Sequence, residues 1–291
     1  MRPLRLATRG SALALAQSKA VAAALEAAHA GLKVELIVLK SSGDQKADVP
    51  LASAGGVGLF TKELELALQR EEADLAVHSL KDLPTQLSAG LALPAITARE
   101  DWRDAWLSAK AKSPWDLPQG ATVGTGSPRR RAQLAVKRPD LKFVEFRGNV
   151  DTRLAKLERG DVDGAVLALA GLNRLGLQAK ASYLFTEHEM LPAPGQGFVA
   201  IETRDQGEAF KLCQALNVAQ AFAEASCERA LLARLEAGCH APVAALARTH
   251  GSQIHLRAFV GLGVKPLLLE SEGPASDGAK LGWALAEKAL S

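Results

Sequence analysis

Three stretches bring arginine to places where a helix would begin. They are Thr8-Arg9-Gly10-Ser11, Gly124-Thr125-Gly126-Ser127-Pro128-Arg129-Arg130-Arg131 and Phe146-Arg147-Gly148-Asn149-Val150-Asp151-Thr152-Arg153. Ser11, Ser127 and Asn149 are of the types that cap a helix, and Pro128 suits the first helical position. A helix N-terminus carries partial positive charge, so an arginine there costs ~0.3–1 kcal/mol. The placement becomes favourable when an anion sits at the junction. Backbone N–H groups, the helix dipole and the guanidinium then act on one ligand. Three such junctions imply a ligand with several carboxylates or phosphates. The plain alternative is solvated surface charge, and Arg131, which only extends a run, is read that way. A nucleic-acid reading of Arg129–Arg131 is weak, because the formal net charge is only +3 and aromatic residues are 4%.

A second kind of chemistry is offered by His78-Ser79-Leu80-Lys81-Asp82-Leu83-Pro84. A carboxylate beside a lysine stays ionised at neutral pH. It can hold a cationic intermediate or move a proton; a surface ion pair explains the same residues equally well. Of the cysteines at 213, 227 and 239, the first two lie in helical patterns and read as packing residues. Cys239 lies in a Gly-Cys-His-Ala-Pro loop, where a thiol can be reached and bonded; the alternative is an incidental cysteine. No pair has the short spacing of a zinc or redox site, so no metal is expected. Gly55-Gly56-Val57-Gly58 lacks the ending of a phosphate loop, and Arg129 stands where a dinucleotide fingerprint needs its third glycine. The small, polar stretch from Ser41 to Gly58 reads as a mobile lid.

These residues must be positioned by alternating strands and helices. Leu4–Thr8, Lys33–Leu39, Leu75–His78 and Leu91–Thr97 read as strands, with helices over Ser11–Ala28 and Phe60–Arg70. The pattern restarts with strands over Ala121–Gly124, Lys142–Phe146 and Gly164–Leu169 and helices over Pro128–Lys137 and Val150–Glu158. Between the two runs, Trp102–Pro118 reads as a hinge or boundary. Phe198–Glu202 reads as a strand returning to the first sheet. Texture then changes: a helix with capped ends over Gln220–Leu235, strands over Val243–Thr249, Gln253–Val260 and Leu267–Glu270, and a closing helix over Ala279–Leu290. The fold class is α/β with mostly parallel strands, followed by a small α+β unit. In such sheets the junctions gather beyond the carboxyl ends of the strands, where ligands bind. A length of 291 residues fits two or three domains. Arg9 interrupts the N-terminus before a signal-peptide core forms, and no apolar run nears the ~18 residues of a span. A soluble cytoplasmic protein with reduced thiols, and no nucleic-acid or membrane partner, is expected.

The segments ATRGSALALAQ, GGVGLFTKELE, LAVHSLKDLPT, VGTGSPRRRAQL, FRGNVDTRLAKL, LAGLNRLG, LPAPGQG and LEAGCHAPV stand in the order found in the porphobilinogen deaminase family, which the chain resembles over nearly its whole length. The resemblance implies two lobes like those of periplasmic binding proteins, enclosing a cleft, plus a small C-terminal α+β domain. It places domain 1 at residues 1–98 with 196–216 returning to it, domain 2 at 99–195 and domain 3 at 217–291. It implies head-to-tail condensation of four porphobilinogen molecules, with loss of ammonia, to hydroxymethylbilane. A dipyrromethane cofactor would be joined by a thioether to Cys239. Cofactor contacts would come from Lys81, Asp82, Ser127, Arg129, Arg130 and Arg153. Arg9, Ser11, Arg147, Arg153, Arg174 and Gln196 would hold substrate rings, each of which brings two carboxylates. Asp82 matches the catalytic carboxylate, and a monomer is implied. The chain departs from the family pattern at Ser53 and Val57, where lysines are frequent, and at Ala237, where glycine is frequent. The competing reading is a non-enzymatic carboxylate-binding protein with the same cleft, which leaves a unit presenting Cys239 unexplained.

The intact protein is expected to exceed its sequence mass by two linked pyrrole units, and Cys239→Ser to lose that excess. Mass spectrometry checks it; an unmodified wild-type chain contradicts it.

Overall fold

The computed structural model describes residues 2–39, 61–238 and 241–291. The lid expected over 41–58, the start of the helix at Phe60, and Cys239 lie outside the described residues. The chain lays down β1 (Leu4–Arg9), α1 (Ala12–Ala28), β2 (Val34–Leu39), α2 (Lys62–Gln69), β3 (Leu75–Ser79) and β4 (Leu91–Ile96). It then crosses over and forms β5 (Asp104–Leu107), β6 (Thr122–Gly124), α3 (Pro128–Lys137), β7 (Lys142–Val144), α4 (Val150–Glu158), β8 (Gly164–Ala168), α5 (Leu169–Arg174) and β9 (Tyr183–Leu184). A second crossing leads back to β10 (Val199–Arg204) and α6 (Glu208–Cys213).

The first sheet has the order β2-β1-β3-β10-β4 and the second β7-β6-β8-β5-β9. The two orders are the same device. In each, one strand adjoining a crossing is inserted antiparallel: β10 between β3 and β4, β5 between β8 and β9. The strands β1, β2 and β3 run parallel, as do β6, β7 and β8. Sheets of this kind are covered on both faces, which is why their strands are rich in apolar residues. On the first, Val21 and Leu25 of α1 pack against Leu4, Leu6, Leu75, Val77 and Ile201. Leu64 and Leu68 of α2 cover the opposite face, over Ala7 and Ala76. In the second lobe, Trp106, Val123, Leu134 and Phe185 fill one side, and Leu107, Leu167 and Leu172 the other. Each such fully buried side chain contributes ~1.5–3 kcal/mol.

The third unit holds α7 (Ala219–Arg234), the antiparallel strands β11 (Val243–His250), β12 (Gln253–Val260) and β13 (Leu267–Pro274), and α8 (Gly278–Leu290). Its core joins Cys227 and Leu231 of α7 to Ala245, Ile254, Leu256 and Leu285. The two helices approach closely at Gly282, where a Cβ would overlap the Cys227 carbonyl. The unit docks on both lobes. Ala244, Leu246 and Phe259 meet Leu191, with Trp102 and Ala132 beside them. Ala221 and Ala225 meet Leu80, Leu83 and Phe198.

The two lobes and the small C-terminal unit are thus as expected, and Phe198–Glu202 does return to the first sheet. The stretch from Trp102 to Pro118 is different: it contains β5, an interior strand of the second sheet, and a 3-10 turn over Pro114–Asp116. Its tryptophans and prolines mimic a linker, yet Trp106 is fully buried in that lobe's core. Leu169 opens a helix rather than ending a strand. Helix α7 begins at Val218 without a side-chain cap. Among the described residues, no helix is long and apolar enough to cross a membrane.

Candidate active site

Strand polarity puts the charged segments on common edges. Because β1 and β3 are adjacent and parallel, Arg9 and the Lys81–Asp82 turn leave the same edge of the first sheet. Likewise β6, β7 and β8 deliver Ser127–Arg130, Arg147 and Arg174 from one edge of the second.

The capping residues behave unequally. Ser11 Oγ accepts from Ala14 N at 3.3 Å, and Ser127 Oγ from Arg130 N at 3.4 Å. Asn149 has the backbone of a cap, but its side chain makes no capping bond. Arg153, one turn later, still takes Asn149 O as its backbone acceptor.

At the second junction the expectation of arginines awaiting an anion is only partly right. Both guanidinium groups meet a buried carboxylate of the protein itself. Arg129 Nη1 donates to Asp104 Oδ2 at 2.7 Å and to Leu191 O at 2.6 Å. Arg130 Nη2 and Nε donate to Asp104 Oδ1 at 2.7 and 3.2 Å, and Nη1 to Val166 O at 2.8 Å. These groups are buried and paired, yet two cations share one anion. Burial alone would raise the Asp104 pKa; the fields and hydrogen bonds of Arg129 and Arg130 reverse this and hold it well below the usual carboxylate range.

Gln196 extends the cluster across the lobes. It is 1% exposed, and its Nε2 donates to Asp104 Oδ1 at 3.0 Å and to Trp102 O at 2.8 Å. Its Oε1 lies 3.4 Å from Lys81 Nζ. Gln196 is held there by Gly195 and Gly197, at φ +80° and +96°. A side chain on Gly195 would crowd the Leu80–Lys81 backbone, and one on Gly197 would overlap Glu100 O. Only glycine allows the two crossings and the 3-10 turn over Leu80–Asp82 to come this close.

Lys81 therefore faces Gln196, and among the described residues no ion pair joins it to Asp82. Its pKa falls to about 8 because burial strips water from the ammonium; Asp82 opposes this, while Arg130 and Arg129 add to it. Asp82 itself is exposed. Arg153 drops to about 10, again chiefly by burial, with Arg130 and Arg147 repelling and Asp82 attracting. Thus Lys81, Asp82, Arg129, Arg130, Arg147 and Arg153 share one field spanning both lobes. Arg147 Nε also donates to Glu145 Oε2 at 3.1 Å. Arg174 is turned to the crossing, donating through Nη2 to Gly197 O at 2.7 Å. Among the described residues, no contact joins Ser11 to the cluster. Gly238 and Ala241 flank Cys239, and Ala241 N donates to Gly238 O at 3.0 Å.

Residues 4–211 match the model of the porphobilinogen deaminase dipyrromethane cofactor-binding domain, and residues 222–291 that of the porphobilinogen deaminase C-terminal domain. The chain belongs to the porphobilinogen deaminase family. A porphobilinogen deaminase of Xanthomonas euvesicatoria is 49% identical over 290 residues, spanning 99% of this chain and 95% of its own. One of Paracoccus denitrificans is 47% identical over 292 residues, spanning 98% and 93%. Among solved structures, the methionine-binding protein MetQ aligns with 76% of this chain and 90% of its own at 16% identity and a TM-score of 0.48. Family membership favours the enzyme over the non-enzymatic alternative.

The cluster fits the dipyrromethane group of that family. Among the described residues, Nε of Arg129 and Nε of Arg153 are buried donors with no hydrogen-bond partner. An unmade buried hydrogen bond of this kind costs ~1–3 kcal/mol, more for a charged group. Carboxylates entering among mutually repelling cations would satisfy them. Among the described residues, no group of His, Cys, Asp and Glu could hold a metal ion. The sequence reading missed Asp104, which hid in the supposed hinge; an Asp immediately before the apolar Ala-Trp-Leu run was its one signal. It also missed Glu228 of α7, fully buried, which accepts from Arg99 Nη1 at 2.8 Å, Gly195 N at 2.6 Å and Ala247 N at 2.8 Å. Glu228 thereby ties both crossings to the third unit.

Replacing Asp104 by Asn would leave two buried guanidinium groups uncompensated, at a cost of ~3–5 kcal/mol at pH 7. The Asp104 pKa is depressed by folding, so its stabilisation is present above the unfolded value near 4 and is lost as pH falls below it. Denaturant unfolding should show the wild-type–variant gap shrinking below about pH 4; a gap independent of pH would contradict this role of the Asp104 carboxylate.

Proposed function

We propose that the family's reaction, condensation of four porphobilinogen molecules into hydroxymethylbilane with release of ammonia, runs in the cleft where Lys81, Asp82, Arg129, Arg130, Arg147 and Arg153 share one field. The observation that carries this is the pair of buried guanidinium nitrogens, Nε of Arg129 and of Arg153, that have no hydrogen-bond partner among the described residues and lie among cations from both lobes. A ligand bringing many carboxylates relieves both the missing bonds and the repulsion. Lys81, Ser127, Arg129, Arg130 and Arg153 hold the carboxylates of the cofactor, which is attached at Cys239 and supplies a pyrrole with a free α-carbon as primer. Arg9, Ser11, Arg147, Arg153, Arg174 and Gln196 serve the incoming and growing rings. We assign the units to residues 1–98 with 196–216, 99–195 and 217–291.

Asp82 performs the central task. When ammonia leaves the aminomethyl group of porphobilinogen, positive charge spreads over that pyrrole. After carbon–carbon bond formation, the attacking ring must lose a proton. A carboxylate facing the ring N–H groups stabilises the charge in both stages. Only the transition state and intermediate carry it, so the gain is in turnover rather than in binding. Arg153 and Asp82 attract one another across the cleft, which favours the ionised carboxylate there. The protein works as a monomer in the cytoplasm, where the buried Cys213 and Cys227, with thiols pushed up to about 12 by burial, stay reduced.

Asp82→Asn should retain the fold and lose nearly all activity. Ammonia release by the cofactor-loaded variant checks it; near-normal turnover would remove Asp82 from the mechanism.

A further inference from the structure

Helix α7 belongs to the third unit and runs toward Gly238 and the cysteine loop. One of its side chains reaches out of that unit into the first lobe. Arg229 Nη2 donates to Pro84 O at 2.7 Å and to Thr85 O at 3.0 Å, and Nη1 to Leu83 O at 3.4 Å. These are the three consecutive carbonyls that follow Asp82. Arg229 is half-buried, and Glu202, fully buried beneath, attracts it. Glu202 in turn lies 2.9 Å from His78 Nε2, on the strand that leads into the 3-10 turn. On the apolar side, Ala221 and Ala225 of the same helix pack with Leu80 and Leu83.

A planar fork of donors spread over successive carbonyls is a task for arginine and not for lysine, whose ammonium is a single point. Buried Leu80 and Leu83 and the bond from Leu80 N to Phe198 O anchor the start of the turn, but among the described residues only Arg229 bonds the carbonyls from Leu83 to Thr85. Asp82 is exposed, and Pro84 has no N–H to give. Within the turn, Leu83 N bonds Leu80 O at 3.1 Å.

We propose that Arg229 is a positioning residue for the condensation, fixing the main chain that follows Asp82 to helix α7 of the third unit. The proposal rests on the assignment of Asp82 above. Arg229 touches no reacting atom. It makes a helix of the third unit the reference for the main chain that carries the carboxylate. Misplacing a catalytic group by about 1 Å costs on the order of 100-fold in rate.

The test uses the full-length, cofactor-loaded protein with porphobilinogen as the probe. Arg229→Lys and Arg229→Gln are expected to lower kcat by ~10–100-fold while KM stays near wild type. Hydrogen exchange should rise in peptides covering 80–88 and stay unchanged in α7 and α8. In an Asp82→Glu background, where the carboxylate is already displaced, Arg229→Lys should cost much less than in wild type. Unchanged kcat in both variants overturns the proposal. So does a loss that multiplies fully with Asp82→Glu or comes with exchange rising throughout the third unit, since either means structural support alone. Should Arg229→Gln fail to fold, Arg229→Lys carries the test. Near-wild-type turnover of Asp82→Asn would strike the Asp82 assignment itself, and so separates the two failures.

Discussion

One buried carboxylate sets the terms for the rest of the molecule. Asp104 is fully enclosed, takes hydrogen bonds from Arg129 and Arg130, and receives a further one from Gln196. It is the first residue of the strand that follows one crossing, and Gln196 stands on the other. The ion cluster is therefore also the seam of the fold. Two cations against one anion leave a surplus of positive charge. Lys81 and Arg153 add to it from either side; burial does most to depress their pKa values, and the neighbouring arginines depress them further. A cleft built in this way favours a ligand carrying many carboxylates.

The third unit is fixed to this seam rather than hung from it. Glu228 bonds Arg99 on one crossing and Gly195 on the other, and Arg229 grips the carbonyls behind Asp82. Between Ala244, Leu246 and Phe259 on Leu191, and Ala221 and Ala225 on Leu80, the unit touches both lobes. Glu187, late in the second lobe, adds ion pairs to Arg248 and Arg257, the latter at 3.1 Å. Chain growth in the cleft must be accommodated without parting these contacts, or by moving them together.

Much of this was legible in the sequence because local signals and tertiary outcome agreed. Ser127 and Pro128 start a helix by local chemistry, and the helix over Pro128–Lys137 is the one the spacing predicts. The apolar runs Leu75–His78 and Phe198–Glu202 are strands in the interior of a sheet covered on both faces, where apolar stretches are buried whichever way the strand runs. Asn149 shows the limit: the residue type signals a cap, yet the side chain makes no capping bond. Asp104 and Gln196 were harder still. Their meaning comes from residues about 25 and 90 positions away, and no periodicity reports a bond of that span. Arg129 and Arg130 were found by position, but their sharing of one internal anion could not be read from the run of arginines. Cys239 was found from its loop, and lies outside the described residues.

The claim that the cleft is a positively strained cradle for a polycarboxylate is tested most directly at Lys81, which feels Asp82, Asp104, Arg129 and Arg130 together. An NMR titration of its Nζ in the Cys239→Ser chain and in the cofactor-loaded protein would read the strain before and after carboxylates arrive. The account predicts a pKa of about 8 without the cofactor, rising toward or beyond the ordinary 10.5 with it. The same value in both forms would contradict it.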